Sequence, residues 1–395
     1  MFRNFLSLLA LCTMSVMTFA ASDHTVKSPN GEIVVTVSEN DGQIYYSVSD
    51  KSTSFIEKSA LGLVMDYADC SKNVSIGEVT YAKLSDNYTV PTIKQRTVSY
   101  EANGMTVAVM GKFKVRERWQ EVEKDVVMYN LEFSVSNSDV AFRYTIQRPN
   151  GDQLLAARVL EEKTEFVIAQ GSTTFLCPQM IPMTGFAGTA PSYETGYTPD
   201  EEMGKNGWGD GYVFPCLFRN ADKGWILISE TGTNGSYCGC HMKNVNDNKY
   251  AIAFPNDKEC NGNGKPEPGV TLPTSTPWRT ITLGSTLKPI VETTVAWDLV
   301  KPVYKASQEY KASRGSWSWI IGMDPSCNYD EQKRYIDFSA AMGYETLLID
   351  ALWDVQIGRD RMKELVDYAK SKGVGIFLWY NSNGYWNHAP QSPRL

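Results

Sequence analysis

The sequence predicts a multidomain chain of β plus α/β class: a large antiparallel β-sandwich followed by the opening of a parallel β/α barrel. Three observations predict it. Short runs of alternating apolar and polar residues, broken by Asn, Asp and Gly, fill residues 22–300, the pattern of half-buried antiparallel strands. Composition then shifts near Lys301. From Gly315 the pattern becomes strand, helix, strand, helix, strand at a spacing near thirty residues, the rhythm of parallel β/α units. A (β/α)8 barrel takes eight such units in typically about 250 residues. Three strands fit before Leu395, so an incomplete (β/α)8 TIM-type barrel is expected.

The elements follow in order. Residues 1–21 are expected to be a signal peptide, and the protein exported. Arg3 supplies the positive end, Phe5–Phe19 the apolar stretch and Thr18-Phe19-Ala20 a small-residue cleavage site. The stretch is too short and too interrupted to span a bilayer, and no other segment is apolar enough. In the sandwich, Glu32–Ser38 alternates Ile33, Val35 and Val37 against mostly polar neighbours. A hairpin is expected over Thr97–Glu101 and Met105–Met110, turning at Asn103-Gly104. Strands are expected at Val126–Val135, Val140–Gln147, Trp225–Glu230 and Tyr250–Phe254. Gln170–Gly211 is Gly-, Pro- and Thr-rich with little periodicity, and loops of that length are functional or disordered. The linker, residues 301–313, lies in a charged, mildly helical stretch. Residues 314–395 carry the barrel units: a strand from Gly315, a helix over Tyr329–Met342, a strand at Thr346–Asp350, a helix over Arg359–Lys372 and a strand at Val374–Tyr380.

Composition excludes some partners. A formal net charge of −7 without a Lys/Arg cluster argues against nucleic acid. Of eight cysteines, Cys12 lies in the leader; the remaining seven have irregular spacing and form no disulfide framework. Cys238-Gly239-Cys240-His241 is too tight for the usual zinc pair. Nucleotide-loop, nucleophile-elbow and zinc-helix motifs are missing, and His24, His241 and His388 are too scattered for a triad.

Candidate chemistry gathers at the strand ends, where parallel barrels carry their sites. Asp350 ends the second strand, with Trp353-Asp354 just beyond. A carboxylate there could orient a sugar hydroxyl while Trp353 stacks on a ring; a plain helix cap is an equal reading for Asp350. Trp379-Tyr380-Asn381 ends the third strand, and its amide and rings could read a polyol, or form a turn. Trp317 and Trp319 alternate along the first strand and are expected on one side of it. In the irregular part of the sandwich, Glu194 stands between Tyr193 and Tyr197; by itself it is a solvated loop residue. Asp200, Glu201 and Glu202 form a solvated face or a helix N-terminus.

Several segments together carry a resemblance: Ala312–Trp319, Tyr335–Glu345, Leu348–Asp354, Val374–Gly384, and in the sandwich Trp225–His241 and Thr276–Arg279. Their order and wording resemble glycoside hydrolase family 97, α-glucosidases and α-galactosidases of polysaccharide-degrading gut bacteria. The resemblance covers essentially the whole mature chain. It implies a β-super-sandwich packed on a (β/α)8 barrel, an exo-acting α-glycosidase and an α-linked oligosaccharide substrate. It also implies calcium at the active site, with Glu194 as the ligand from the sandwich. Trp317, Trp319, Asp350, Trp353, Asp354 and Asn381 are the substrate-binding candidates. The catalytic carboxylates and remaining calcium ligands are expected beyond Leu395, so this polypeptide by itself is expected to be inactive. The alternative is a non-catalytic carbohydrate-binding or vestigial protein that uses the sandwich.

Overall fold

The computed structural model describes residues 23–117, 119–150, 154–179, 196–205, 210–259, 264–304, 306–308, 311–381 and 393. The leader, Glu194 and residues 382–391 lie outside the described residues.

Two antiparallel sheets face each other across a long core. One has seven strands in the order His24–Lys27, Ile33–Asn40, Gln43–Asp50, Thr53–Leu61, Glu165–Ile168, Lys249–Ala253 and His241–Asn246. The other is built around Gly224–Thr231, Trp278–Gly284, Asp139–Ile146, Gln120–Val135, Thr97–Glu117 and Val74–Thr89. A small sheet of Gly269–Thr271, Ala156–Glu162 and Leu63–Met65 lies beside them. The expected alternation holds: Ile33, Val35 and Val37 are buried while Val34 and Thr36 are half-exposed. Tyr46 from the first sheet meets Phe142 from the second at 5.1 Å between ring centroids, and Phe133 packs on Phe142 at 5.5 Å. Such rings bury large apolar areas and dominate the core energy. The buried Tyr144 hydroxyl accepts from Gly62 N at 3.0 Å and lies 2.7 Å from Thr164 Oγ1, so its polar end is satisfied.

Two local expectations fail, and for Asp200, Glu201 and Glu202 the solvated face holds while the helix N-terminus does not. Asn103-Gly104 is no turn: Thr97–Glu117 is one continuous strand, paired through Gly104 with Ala82 on one side and Ser134 on the other. Two-sided pairing overrides the local turn preference, and the chain reverses instead between Glu117 and Gln120. Glu201–Glu202 is an edge strand against Thr173 and Thr174, with Asp200 paired to Arg219 at 2.9 Å. The helices at the end of the sandwich are Lys288–Glu292 and Val295–Leu299; the charged stretch after Val300 shows no helix among its described residues.

The second unit is a three-stranded parallel sheet in sequential order, Gly315–Trp317, Thr346–Ile349 and Gly375–Leu378. Helices Tyr329–Met342 and Arg359–Ser371 connect the strands. Asn328 caps the first helix, its Oδ1 accepting from Glu331 N at 3.0 Å. Gly343 ends it in the left-handed conformation at φ 66°, which glycine adopts at least cost. Met362, Leu365 and Ala369 form the buried stripe of the second helix, the spacing that turns one helical face to a sheet. They join Ile336, Leu347, Ile349 and Trp353 in a core separate from that of the sandwich.

Val295–Leu299 carries a buried carboxylate, Asp298, which accepts from Tyr88 Oη at 2.6 Å and Thr294 Oγ1 at 3.0 Å. Burial pushes this carboxyl above its ordinary value, the two hydroxyls oppose the rise and nearby Asp139 adds to it. A raised folded-state value favours the protonated folded form. The stabilisation is therefore complete below the ordinary carboxylate value of about 3.9 and is lost as pH climbs through the raised one. Asp298→Asn keeps the shape without the charge. Its stability relative to the parent is expected to be greater at about pH 7 than at about pH 4, measured by urea unfolding at both.

Candidate functional site

The parallel strands set the geometry of the second unit. Gly315 pairs with Thr346 and Thr346 with Gly375; one step on, Ser316, Leu347 and Ile376 align; then Trp317, Leu348 and Phe377. Ser316 and Leu347 are buried towards the helices. Side chains alternate between the faces, so Trp317, Leu348 and Phe377 share the opposite face, where Phe377 is 60% exposed. Glycine is required at 315: a Cβ there would stand 2.5 Å from Thr346 Oγ1 and 3.2 Å from its carbonyl oxygen.

At the C-terminal ends of these strands a carboxylate is held ready. Asp350 is buried directly after Ile349; its Oδ2 accepts from Trp317 Nε1 at 2.7 Å and its Oδ1 from Ala351 N at 2.6 Å. Trp319 stacks on Trp317 at 5.7 Å and 15°, although it does not continue the strand. The strand ends at Trp317, and Trp319 opens the short helix Trp319–Gly322. Trp319 Nε1 is tied to Asp324 Oδ1 at 2.8 Å. The result is a stacked indole pair beside an oriented carboxylate with lone pairs to spare. Such a group can accept hydrogen bonds from a polyol, and a half-exposed indole offers an apolar face for a sugar ring.

The other candidates separate from this cluster. Trp353 is 3% exposed, donates Nε1–H to the Trp379 carbonyl at 3.0 Å and packs edge-on to Tyr380 at 5.7 Å. Its ring is a core element, which corrects the expectation that it stacks on a ligand. Asp354 is half-buried in the first turn of the short helix Trp353–Gln356. Asn381 is buried, and its backbone N–H donates to the Pro393 carbonyl at 2.8 Å. Asp324 was not a candidate, because nothing in its spacing from Trp319 marks the contact.

The two sandwich motifs, far apart in sequence, meet at one buried guanidinium. Arg279 is 0% exposed and forks onto Glu162 at 2.9 and 2.6 Å, with a further close contact to Glu230. Its Nη2 also lies 3.3 Å from Cys240 Sγ, and Glu230 Oε1 accepts from Cys240 N at 2.9 Å. Burial pushes the Glu230 carboxyl up, opposed by Arg279. The motif residues Glu230, Cys240 and Arg279 thus hold the sandwich together rather than presenting themselves to a ligand. Among the described residues no group of three or more His, Cys, Asp or Glu could hold a metal ion.

An antiparallel sandwich joined to parallel β/α units, with aromatic rings and a carboxylate at the strand ends, is an arrangement suited to a polyol ligand. The comparisons agree. The Glycosyl-hydrolase 97 N-terminal profile matches residues 26–302 and the Glycoside hydrolase 97 profile residues 310–392. The chain belongs to glycoside hydrolase family 97. It is 24% identical to a retaining alpha-galactosidase of Bacteroides thetaiotaomicron, over 95% of this chain and 58% of the relative. It is 23% identical to a probable retaining alpha-galactosidase of Streptomyces bingchenggensis, over 86% and 49%. The chain therefore spans about half the length of the curated relatives it matches. Among solved structures, a beta-arabinopyranosidase superposes with a TM-score of 0.86 at 44% identity, covering 94% of this chain and 58% of that one. A family 97 enzyme of Pseudoalteromonas sp. strain K8, in complex with panose, has a TM-score of 0.68 at 21% identity, over 89% and 53%, and shares the fold.

Removing Arg279 would strand two buried carboxylates. Arg279→Met is expected to cost about 3–5 kcal/mol, read from the urea midpoint. The triple variant with Glu162→Gln and Glu230→Gln is expected to recover part of that loss.

Proposed function

We propose that this protein is a glycosidase-family protein whose sugar site includes Asp350, Trp317 and Trp319, and that its glycone is a galactose-configured pyranose. The observation that carries this is the Asp350 carboxylate, fixed by two donors beside the stacked indoles at the C-terminal strand ends, where parallel barrels bind substrate. The sequential parallel strands support a (β/α)8 barrel as the full architecture. Read for the L sugar, the beta-arabinopyranosidase name describes the same stereochemistry as the alpha-galactosidase name. A β-L-arabinopyranoside has the ring configuration of an α-D-galactopyranoside and lacks only the C5 hydroxymethyl group. An α-glucoside differs at C4, so glucose is the less favoured reading.

Hydrolysis needs two carboxylates flanking the scissile bond, and no residue of this sequence is assigned to either role. Inactivity of the 395-residue polypeptide is therefore part of the proposal, as are an exo mode of action and export through the leader. N-terminal sequencing of the exported protein is expected to begin at Ala21 or Ser22.

Calcium rests on Glu194, and one carboxylate falls short of the six to eight oxygens calcium takes. No step is assigned to it, and calorimetric titration with calcium chloride is expected to show weak or no binding.

For the sugar site, galactose or L-arabinose is expected to quench tryptophan fluorescence. Asp350→Ala is expected to weaken that binding by about 1–3 kcal/mol, while 4-nitrophenyl α-galactoside is not turned over. Turnover by the mass-verified chain would refute the inactivity, and equal binding by Asp350→Ala would refute the site.

A further inference from the structure

A cavity of about 320 Å³ opens in the sandwich between the strands Ala156–Glu162 and His241–Asn246 and the turn at 254–257. Its chemistry is carried by Glu161, Asp210, His241, Lys243, Phe254 and Asn256. It shares no residue with the Trp317–Asp350 cluster.

The walls are fixed. Tyr212 N donates to the Met242 carbonyl at 2.6 Å and Met242 N returns to the Tyr212 carbonyl at 2.9 Å. Asp210 N donates to the Gln179 carbonyl at 2.7 Å, and Gln179 N to the Gly211 carbonyl at 2.8 Å. Gly211 makes this approach possible: at φ 86°, a Cβ there would stand 2.4 Å from the Met242 oxygen and 2.9 Å from His241 Cδ2. Only glycine brings Asp210 so close to the imidazole. Behind the cavity, Glu162 is locked onto Arg279.

The polar groups suit a neutral polyol. Asn256 Nδ2 donates to Asp210 Oδ2 at 2.6 Å while its Oδ1 accepts from Lys258 N at 3.0 Å, which fixes the amide and leaves the Asp210 carboxylate lone pairs and the second amide N–H for neighbouring hydroxyls. His241 is 4% exposed, and burial pulls its imidazole below the ordinary value against the opposing pull of Asp210. Burial thus favours the uncharged ring, which does not attract anions. Glu161, Asp210 and Asp257 outnumber Lys243 around the rim, which disfavours phosphate or carboxylate ligands. Phe254 supplies the apolar surface. The volume lies at the lower end of the ligand-pocket range of about 300–1,000 Å³, the size class of a single sugar ring rather than a long oligosaccharide.

We propose that the cavity around Asp210, His241 and Asn256 binds one neutral monosaccharide unit, independently of the Trp317–Asp350 cluster. Only the choice of galactose and L-arabinose as probes rests on the proposed function.

The test is calorimetric titration of the whole chain, and of Asp350→Ala, Asp210→Ala and Asn256→Asp, with each sugar at neutral pH. Saturable binding is expected to persist in Asp350→Ala. It is expected to weaken at least about tenfold in Asp210→Ala, the loss of one hydrogen bond to a charged group. Asn256→Asp replaces the amide donor by a like charge next to Asp210 and is expected to weaken binding similarly, which covers the case of a misfolded alanine variant. Circular dichroism and melting curves identify the folded variants. Binding lost in Asp350→Ala but unchanged in folded Asp210→Ala and Asn256→Asp overturns the second site and leaves the strand-end site standing. Loss confined to the Asp210 and Asn256 variants supports the second site and counts against the first. Absence of saturable binding to either sugar overturns the inference.

Discussion

The buried fork of Arg279 is the constraint on which the sandwich depends. Its guanidinium ties the strand Trp278–Gly284 to Glu162 of the small sheet, to Glu230 of the neighbouring strand and to the Cys240 segment. A charge without water at 0% exposure is tolerable only when every donor has a partner. A planar guanidinium places all three nitrogens on partners from three segments, with four hydrogen bonds, and a lysine point charge would not. An apolar cluster of equal volume could match the net stability. What the ionic version adds is geometry, because each carboxylate accepts only from fixed directions. Glu162 lines the 320 Å³ cavity and Cys240 precedes its lining residue His241, so the fork also holds that wall in place.

The strand ends of the second unit obey the same logic on a smaller scale. Asp350 emerges where the pleat turns it towards the mouth, and Trp317, two register steps lower on the adjoining strand, reaches it with its indole N–H. The carboxylate is desolvated in advance and pointed by two donors. A group arranged in this way spends little reorganisation when a hydroxyl arrives. Trp319 joins because the chain leaves the strand after Trp317 and coils, which lays the second ring nearly parallel on the first. Asp324 then pins that ring from outside.

Legibility in the sequence followed the range of the interactions. Ile33, Val35 and Val37 alternate because one face of one strand is buried, a local pattern with period two. The helix Tyr329–Met342 is bounded by its own Asn328 and Gly343. Both were readable. The turn expected at Asn103-Gly104 was not formed, because two neighbouring strands pair through it and outweigh a dipeptide preference. Asp350 was legible from its place at the end of a strand, whereas its partner Trp317 was legible only as a position. Trp353 sits in the same short motif as Asp350, yet its ring turns inward to Trp379 and Tyr380. No spacing rule separates those two outcomes. The Arg279 fork was invisible for a further reason: its members lie up to 117 positions apart and carry no periodic signal.

Burial and function part company at these two clusters, and the difference is in what each polar atom has left to offer. Arg279 has its guanidinium engaged by Glu162, Glu230 and Cys240, so the cluster is closed and can only support. Asp350 receives one donor on each oxygen and, as a carboxylate, has about four lone-pair sites. It is held but not saturated. The Asp210–Asn256 pair is partly engaged, the amide donating to Asp210 and accepting from Lys258 N, with lone pairs of the Asp210 carboxylate remaining. A rigid backbone around an unsaturated polar group is the arrangement that can recognise a ligand without first rearranging. That criterion is what the proposed sites at the strand-end aspartate and in the sandwich cavity rest on, whereas the arginine network supports the fold.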